Sequence, residues 1–382
     1  MTSSYFEVAD VIRQFGEAYI KRYPNILPSQ RRALSDISDC MTPAMGGSMY
    51  HCDDCGESFW RFHGCGNRSC PKCHGPKTAE WLEARQSEML PCNYFHIIAT
   101  VPEELRSTAL RHQKIIYGLL MKTASDCVRK LAADPKYVGG EVGILAVLHT
   151  WTGQLHHHPH VHMLVSGGGI TQDGLCWTET PYQYLVPVHK LSKMIREQFS
   201  ADLKKDHPEI HRDIPEKTWT REWCSFCKHF GKGQDAVLEY LARYVFRIAI
   251  SNARILDLNE THVKIRYKDH DAGRWKEARI PGEEFIRRFL LHVLPKGFHK
   301  VRYYGLWSPV KRQQLTIVRL MLELKQPVLS KDDLVVVAQL AEEALSKQSN
   351  EKQACQVKCP KCGGLNTVLL EALDPWKNRL VS

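Results

Sequence analysis

The chain has 382 residues, 43% of them hydrophobic and 25% charged, a balance that fits a folded soluble protein of two or three domains. No apolar run approaches the ~18 residues a membrane-spanning helix requires, and the opening MTSSYFEVAD, with two acids and no base, does not read as a secretory signal, so the expected location is the cytoplasm. A net charge of +10 suits a polyanionic partner such as nucleic acid.

In chain order, residues 5–39 read as helical, with Val8, Val11, Ile12, Phe15 and Tyr19 at helical spacing and Leu34 and Ile37 continuing the pattern after a proline break. Residues 40–76 read as loop-rich, and residues 77–90 as a connecting helix. YFHIIATV, starting at Tyr94, reads as a buried strand closed by Pro102, and residues 103–132 as one or two helices. GILAVLHTW (143–151) and HVHMLVSGGG (160–169) read as two strands joined by a loop. An amphipathic helix follows over 188–205, then an alternating segment over 219–230, a helix over 235–249, a hairpin over 262–280 and a helix over 283–294. An acidic helical segment over 330–350 leads to the last cysteines. Strands in antiparallel order with helices between them make an α+β domain.

Clustered cysteines in a cytoplasmic chain point to metal rather than to disulfides. Six of the fourteen lie between Cys40 and Cys73. Cys52-x2-Cys55 and Cys70-x2-Cys73, 14 residues apart, have the form of two knuckles of one tetrahedral zinc site. Cys40, His63, Cys65 and His74 remain to complete a second. Such a segment presents Arg61, Arg68, Lys72 and Lys77 for DNA contact, although a purely structural or protein-binding zinc domain is nearly as good a reading. Cys355, Cys359 and Cys362 resemble half a zinc ribbon with no local fourth ligand, and Cys224 and Cys227 read as strand packing.

The densest chemistry is LHHHPHVHMLV (155–165). His158, His160 and His162 alternate onto one strand face, while Val161, Met163 and Val165 point to the other. Two imidazoles two residues apart on a strand grip one divalent cation, with positions left for substrate oxygens. Mg or Mn is the expected ion, and nitrogen donors also accept Zn or Co. His158, Gln154 and His149 are the candidates for a third ligand. In EYLARYVFR (239–247), Tyr240 and Tyr244 share a helix face, and Arg243 and Arg247 each follow a tyrosine by three. A phenol is a poor nucleophile near neutral pH unless a cation or a metal-activated phosphate compensates. Lys296, His299, Lys300 and Arg302, interleaved with Phe298, Tyr303 and Tyr304, offer the charge and stacking surface that single-stranded DNA uses.

HPHVHMLVSGGG followed by YLARYVFRIAISNARI resembles the rolling-circle insertion-sequence transposases of the His-hydrophobic-His endonuclease fold, relatives of the Helitron transposases. The cysteine segment 40–76 resembles that family's zinc domain, with Ser69 where a histidine would be expected, and residues 283–305 resemble the segment after its tyrosines. The resemblance implies a five-stranded antiparallel sheet with the histidine strand central, flanking helices and a preceding zinc domain. It implies a division into 1–90 (helices and zinc-binding DNA recognition), 91–310 (strand transferase) and 311–382 (helical tail). It assigns the catalytic metal to His160 and His162 and the paired nucleophiles to Tyr240 and Tyr244, accompanied by Arg243 and Arg247. The implied activity is nicking and joining of single-stranded DNA at element ends through a 5′-phosphotyrosine. A plasmid replication initiator or relaxase would share this chemistry. A non-enzymatic zinc-dependent DNA-binding regulator would explain the charge and the cysteines, but not the histidine strand.

Overall fold

The computed structural model describes residues 6–73, 89–180, 184–240, 244–245, 247–269, 273–347 and 357–375. Most of the connecting helix expected over 77–90 lies outside them, as do His74, Lys77, Arg243 and Cys355. Helices α1 (Val8–Arg22) and α2 (Pro28–Ser38) lead into strands β1 (Gly47–Cys52) and β2 (Ser58–Phe62). Then come β3 (Asn93–Thr100), α3 (Arg106–Arg111), α4 (Gln113–Ala132), β4 (Glu141–Trp151), β5 (His157–Ile170) and β6 (Trp177–Glu179). Helix α5 (Val188–Asp206) and the short α6 (Pro208–Arg212) and α7 (Lys217–Thr220) precede β7 (Ser225–Lys232) and α8 (Gly233–Tyr240). The chain continues through β8 (Ile255–Leu258), β9 (His262–Lys268), β10 (Trp275–Pro281), α9 (Gly282–Leu290) and β11 (Val301–Gly305). It ends with α10 (Arg312–Glu323), α11 (Lys331–Lys347) and β12 (Thr367–Leu373).

The central sheet runs β11-β4-β5-β3-β7, every neighbouring pair antiparallel, with the histidine strand β5 in the middle. Short β6 pairs with the far end of β5, making six strands in all. The period-two alternation of β4 and β5 decides what each face holds. Val161, Met163 and Val165 join Ile144, Ala146 and Leu148 in a core roofed by α4 and α5. On the opposite face, Leu145, Val147 and Leu164 pack with Val237 and Tyr240 of α8 and with α10 and α11. Both faces are therefore covered, and His160 and His162 of β5 lie on the side of the second roof.

A second core joins α1 and α2 to the small β10-β9-β8 sheet and α9. The apolar stripe of α9, Phe285, Ile286, Phe289 and Leu290, faces α1. Gly282 opens that helix where any Cβ would collide with the Phe15 ring. The cysteine segment contains the β1–β2 hairpin where the sequence suggests loop, and β12 from the tail adds to it as a third strand. Of the alternating stretch 219–230, only Ser225 onward is strand. Trp219 and Trp223 instead belong to an aromatic cluster on Phe199 of α5, which accounts for their spacing. Where a helix is expected over 235–249, Gly233–Tyr240 is α-helix, Tyr244 and Val245 lie in a wider π-type turn, and Arg247 lies outside any helix. Among the described residues, no helix is long and apolar enough to cross a membrane.

Candidate active site and zinc centres

Antiparallel register places His149 of β4 directly opposite His160 of β5, with His162 two residues further along the same face. One ring nitrogen from each of these three lies within 4.8 Å of the others. His158 is not part of this group, although its parity matches. Between the pairs His149↔His160 and Trp151↔His157, β5 carries one extra residue, a bulge at His158–Pro159 that turns the side chain aside. Its Nδ1 accepts a hydrogen bond from Arg106 at 3.0 Å instead. The third histidine nitrogen in the group is that of His149.

Each histidine of the triad has a ring nitrogen in a hydrogen bond. His149 Nε2 donates to the Tyr244 carbonyl at 2.7 Å, and His160 Nδ1 donates to the His158 carbonyl at 2.7 Å. His162 Nδ1 pairs with His96 Nε2 at 2.9 Å. Partners of this kind fix which nitrogen faces a metal. Burial holds His149 and His162 well below the usual imidazole range, so both stay neutral, the form that ligates. His96, a residue that pattern reading passes over as part of a buried strand, is lowered to about 4 by burial and then by Lys228.

The tyrosine segment crosses the same face. The Tyr244 ring lies 4.3 Å from the His162 ring and 4.6 Å from that of His96, centroid to centroid. Tyr240 sits one layer behind. Its ring contacts His96 at 5.6 Å and Tyr244 at 4.9 Å, and it is 0% exposed. Its hydroxyl has no hydrogen-bond partner among the described residues, and burial pushes the phenol well above its ordinary pKa. The histidines and tyrosines are thus brought together, with Tyr244 nearer the triad.

The basic residues divide. Arg247 is exposed, and its carbonyl accepts from Lys300 Nζ at 3.2 Å. Burial, then the neighbouring Arg68, lower Lys300 to about 8, and both Lys300 and Arg247 press on the charge state of His149. Lys300 thus turns inward from the patch that sequence suggests. Lys296, His299 and Arg302 remain together along an open cleft with Phe298, Tyr303 and Tyr304, joined by Lys114 and Lys122 of α4. Arg302 lies 5.0 Å over the Phe298 ring.

The cysteines separate into two groups of four. Cys70 and Cys73 lie with Cys40 and Cys65, whereas Cys52 and Cys55 lie with Cys359 and Cys362 of the tail. The single site expected from Cys52, Cys55, Cys70 and Cys73 is therefore not what the fold builds. The β1–β2 hairpin carries the first knuckle away from the second. His63 is exposed and stands outside both groups. Arg68 is exposed, and its guanidinium donates to the carbonyls of Leu294, Pro295 and Phe298, fastening the cysteine segment beside β11. Lys72 pairs with Glu7 at 2.7 Å, and Arg61 is exposed. Cys227 packs within β7 as expected.

Two histidines outside the triad make stability depend on pH. His157, hydrogen-bonded to Tyr117, is lowered to about 3 by burial and then by His292, while His292, between Thr150 and Leu155, is lowered to about 4 by burial. In the unfolded chain each ring takes up a proton near ~6.5. Their contribution is therefore intact above that pH and is lost as pH falls, by about 1.4 kcal/mol per ring per unit until the folded value is reached. Urea midpoints in zinc-supplemented buffer should drop clearly between pH 7.5 and 5.5. Equal midpoints would mean that these rings charge without unfolding.

Residues 143–314, which hold the triad and both tyrosines, match the family described as “Putative transposase”, and residues 11–101 match “Transposase zinc-binding domain”. The “Putative transposase y4qJ” of Sinorhizobium fredii (strain NBRC 101917 / NGR234) is 37% identical over 392 residues, covering 98% of this chain and 97% of that protein. The “Transposase for insertion sequence element IS801” of Pseudomonas savastanoi pv. phaseolicola is 25% identical over 281 residues, covering 70% of this chain and 67% of that protein. No solved structure matches. With a zinc-binding domain, a transposase domain and a near full-length transposase relative, the chain belongs to the rolling-circle insertion-sequence transposases.

Proposed function

We propose that the chain nicks and rejoins single-stranded DNA at the ends of its element through a 5′-phosphotyrosine formed first on Tyr244. The observation that carries this reading is the Tyr244 ring 4.3 Å from His162, within a triad whose ring nitrogens converge. Three imidazoles, each with a ring nitrogen held by a hydrogen bond and two of them kept neutral by burial, fit a divalent cation such as Mg or Mn. Bound there, the cation would polarise a scissile phosphate as a Lewis acid.

The protein's own groups do the rest. The Tyr244 oxygen attacks phosphorus, a new O–P bond forms and the bond to the 3′ oxygen breaks. The phenolic proton is lost and the departing 3′ oxygen gains one, leaving a 3′ hydroxyl for rejoining. Arg247 and Lys300 supply positive charge beside the phosphate. Tyr240 is the second nucleophile and needs a displacement of its helix to leave its buried position. The strand approaches along the cleft of Lys296, His299 and Arg302, where charge and aromatic rings alternate. In the N-terminal segment, Cys40, Cys65, Cys70 and Cys73 hold a structural zinc.

Incubation with end-derived single-stranded oligonucleotides and manganese should give a denaturation-resistant adduct that peptide mapping places on Tyr244. An adduct on a residue outside the tyrosine segment, or nicking with no adduct at all, rejects the proposal.

A further inference from the structure

The last cysteines lie beyond both matched segments, which end at residue 314. Taken alone they make half a site. In the folded chain Cys359 and Cys362 meet Cys52 and Cys55, and one sulfur from each lies within 4.8 Å of the other three. Cys52 Sγ is 3.6 Å from Cys362 Sγ, and Cys55 Sγ is 3.8 Å from Cys359 Sγ. A tetrahedral zinc with bonds of about 2.3 Å has sulfur–sulfur edges of about 3.8 Å. A disulfide would need about 2.05 Å.

The two halves are built alike. Each is Cys-x-x-Cys-Gly, CDDCG at 52–56 and CPKCG at 359–363. In each, the glycine takes positive φ, +71° at Gly56 and +78° at Gly363. In each, its N–H donates to the carbonyl of the first cysteine, at 2.8 Å and 3.0 Å. Gly364 N–H points at Cys362 Sγ at 3.3 Å. The surroundings bind the halves together: β12 pairs along the whole of β1, Asp53 N–H donates to the Asn366 carbonyl, and Lys361 pairs with Glu57 at 2.7 Å.

We propose that Cys52, Cys55, Cys359 and Cys362 bind one structural zinc ion that closes the C-terminal tail onto the N-terminal cysteine segment. The zinc domain is then bipartite, with one metal held within residues 40–73 and a second joining cysteines 304 residues apart. Truncation at the end of the matched transposase segment would remove half of the second site. The assignment does not depend on the reading of the tyrosines.

Cobalt substitution of the full chain tests it, because thiolate-to-cobalt charge transfer reports sulfur sites and ignores a histidine triad. The wild type should show two tetrathiolate equivalents. Cys359→Ser with Cys362→Ser should lose half the band, and adding Cys52→Ser and Cys55→Ser should remove no more. A full band in the tail variant, or a further loss on adding the second pair, overturns the proposal. Alkylation of the unmutated zinc protein, read by mass spectrometry during gradual chelation, guards against misfolded variants. The four cysteines should become reactive together. Cys359 and Cys362 reacting while Cys52 and Cys55 stay protected would also overturn it.

Discussion

Tyr244→Phe is expected to abolish the covalent adduct and to lower nicking of single-stranded DNA by on the order of 10³-fold or more, the scale seen when a nucleophile is deleted. The substitution removes one oxygen and keeps the ring against His162 and His96, so the fold and the triad should survive it. Tyr240→Phe should behave differently. That hydroxyl is buried without a partner among the described residues, so removing it should leave stability unchanged or raise it by about 1 kcal/mol. The first nick should persist, while completed strand transfer should fall, because the second cleavage loses its nucleophile. The measurements are adduct yield on a denaturing gel, product joining with paired end oligonucleotides, and a urea midpoint for each variant. Retention of the adduct in Tyr244→Phe, or its loss only in Tyr240→Phe, would reverse the order of the two tyrosines.

The arrangement was legible in the sequence where it depends on local period. Alternation in HVHMLV put two histidines on one strand face and three apolar residues on the other, and the sheet uses both. Spacing by four put the tyrosine rings on one face, 4.9 Å apart. What depended on register or on distant chain was hidden. His149 joins the triad because β4 and β5 pair with 149 opposite 160, and His158 leaves it because of a one-residue bulge. Neither is encoded in the spacing of either strand alone. Proximity in sequence suggested that Cys52 and Cys55 pair with Cys70 and Cys73, but the β1–β2 hairpin and the added β12 set a different partnership. β11 escaped notice because its basic and aromatic residues resemble a surface patch. It is an edge strand of the central sheet, and its residues line the cleft.

The contact between His149 and Tyr244 links the two halves of the chemistry. At a π-type turn a side-chain donor can satisfy a helix carbonyl. Here the donor is a prospective metal ligand, so the seat of the tyrosine segment and the orientation of the imidazole are set by one hydrogen bond at 2.7 Å. A displacement of the segment that brings Tyr240 forward must exchange or carry this bond. On the proposed reading, the metal site and the choice of tyrosine would thereby be mechanically coupled.

His149→Ala is the substitution that tests this joint role. Removing a ligand should raise the manganese concentration needed for half-maximal adduct formation by more than about 100-fold, beyond the 10–100-fold typical of losing an outer partner. It should also remove the hydrogen bond to the Tyr244 carbonyl, at about 0.5–1.5 kcal/mol of stability. His158→Ala is the matched control. Its ring is held by Arg106 outside the triad, so manganese dependence should stay within a few-fold of the wild type. Manganese titration by calorimetry, alongside adduct yield against metal concentration, separates a binding defect from a misplaced nucleophile. A ligand loss is restored by excess metal, whereas a displaced Tyr244 is not. If His158→Ala shifts the titration and His149→Ala does not, the register of β4 against β5 does not select the metal ligands, and the triad drawn from it fails.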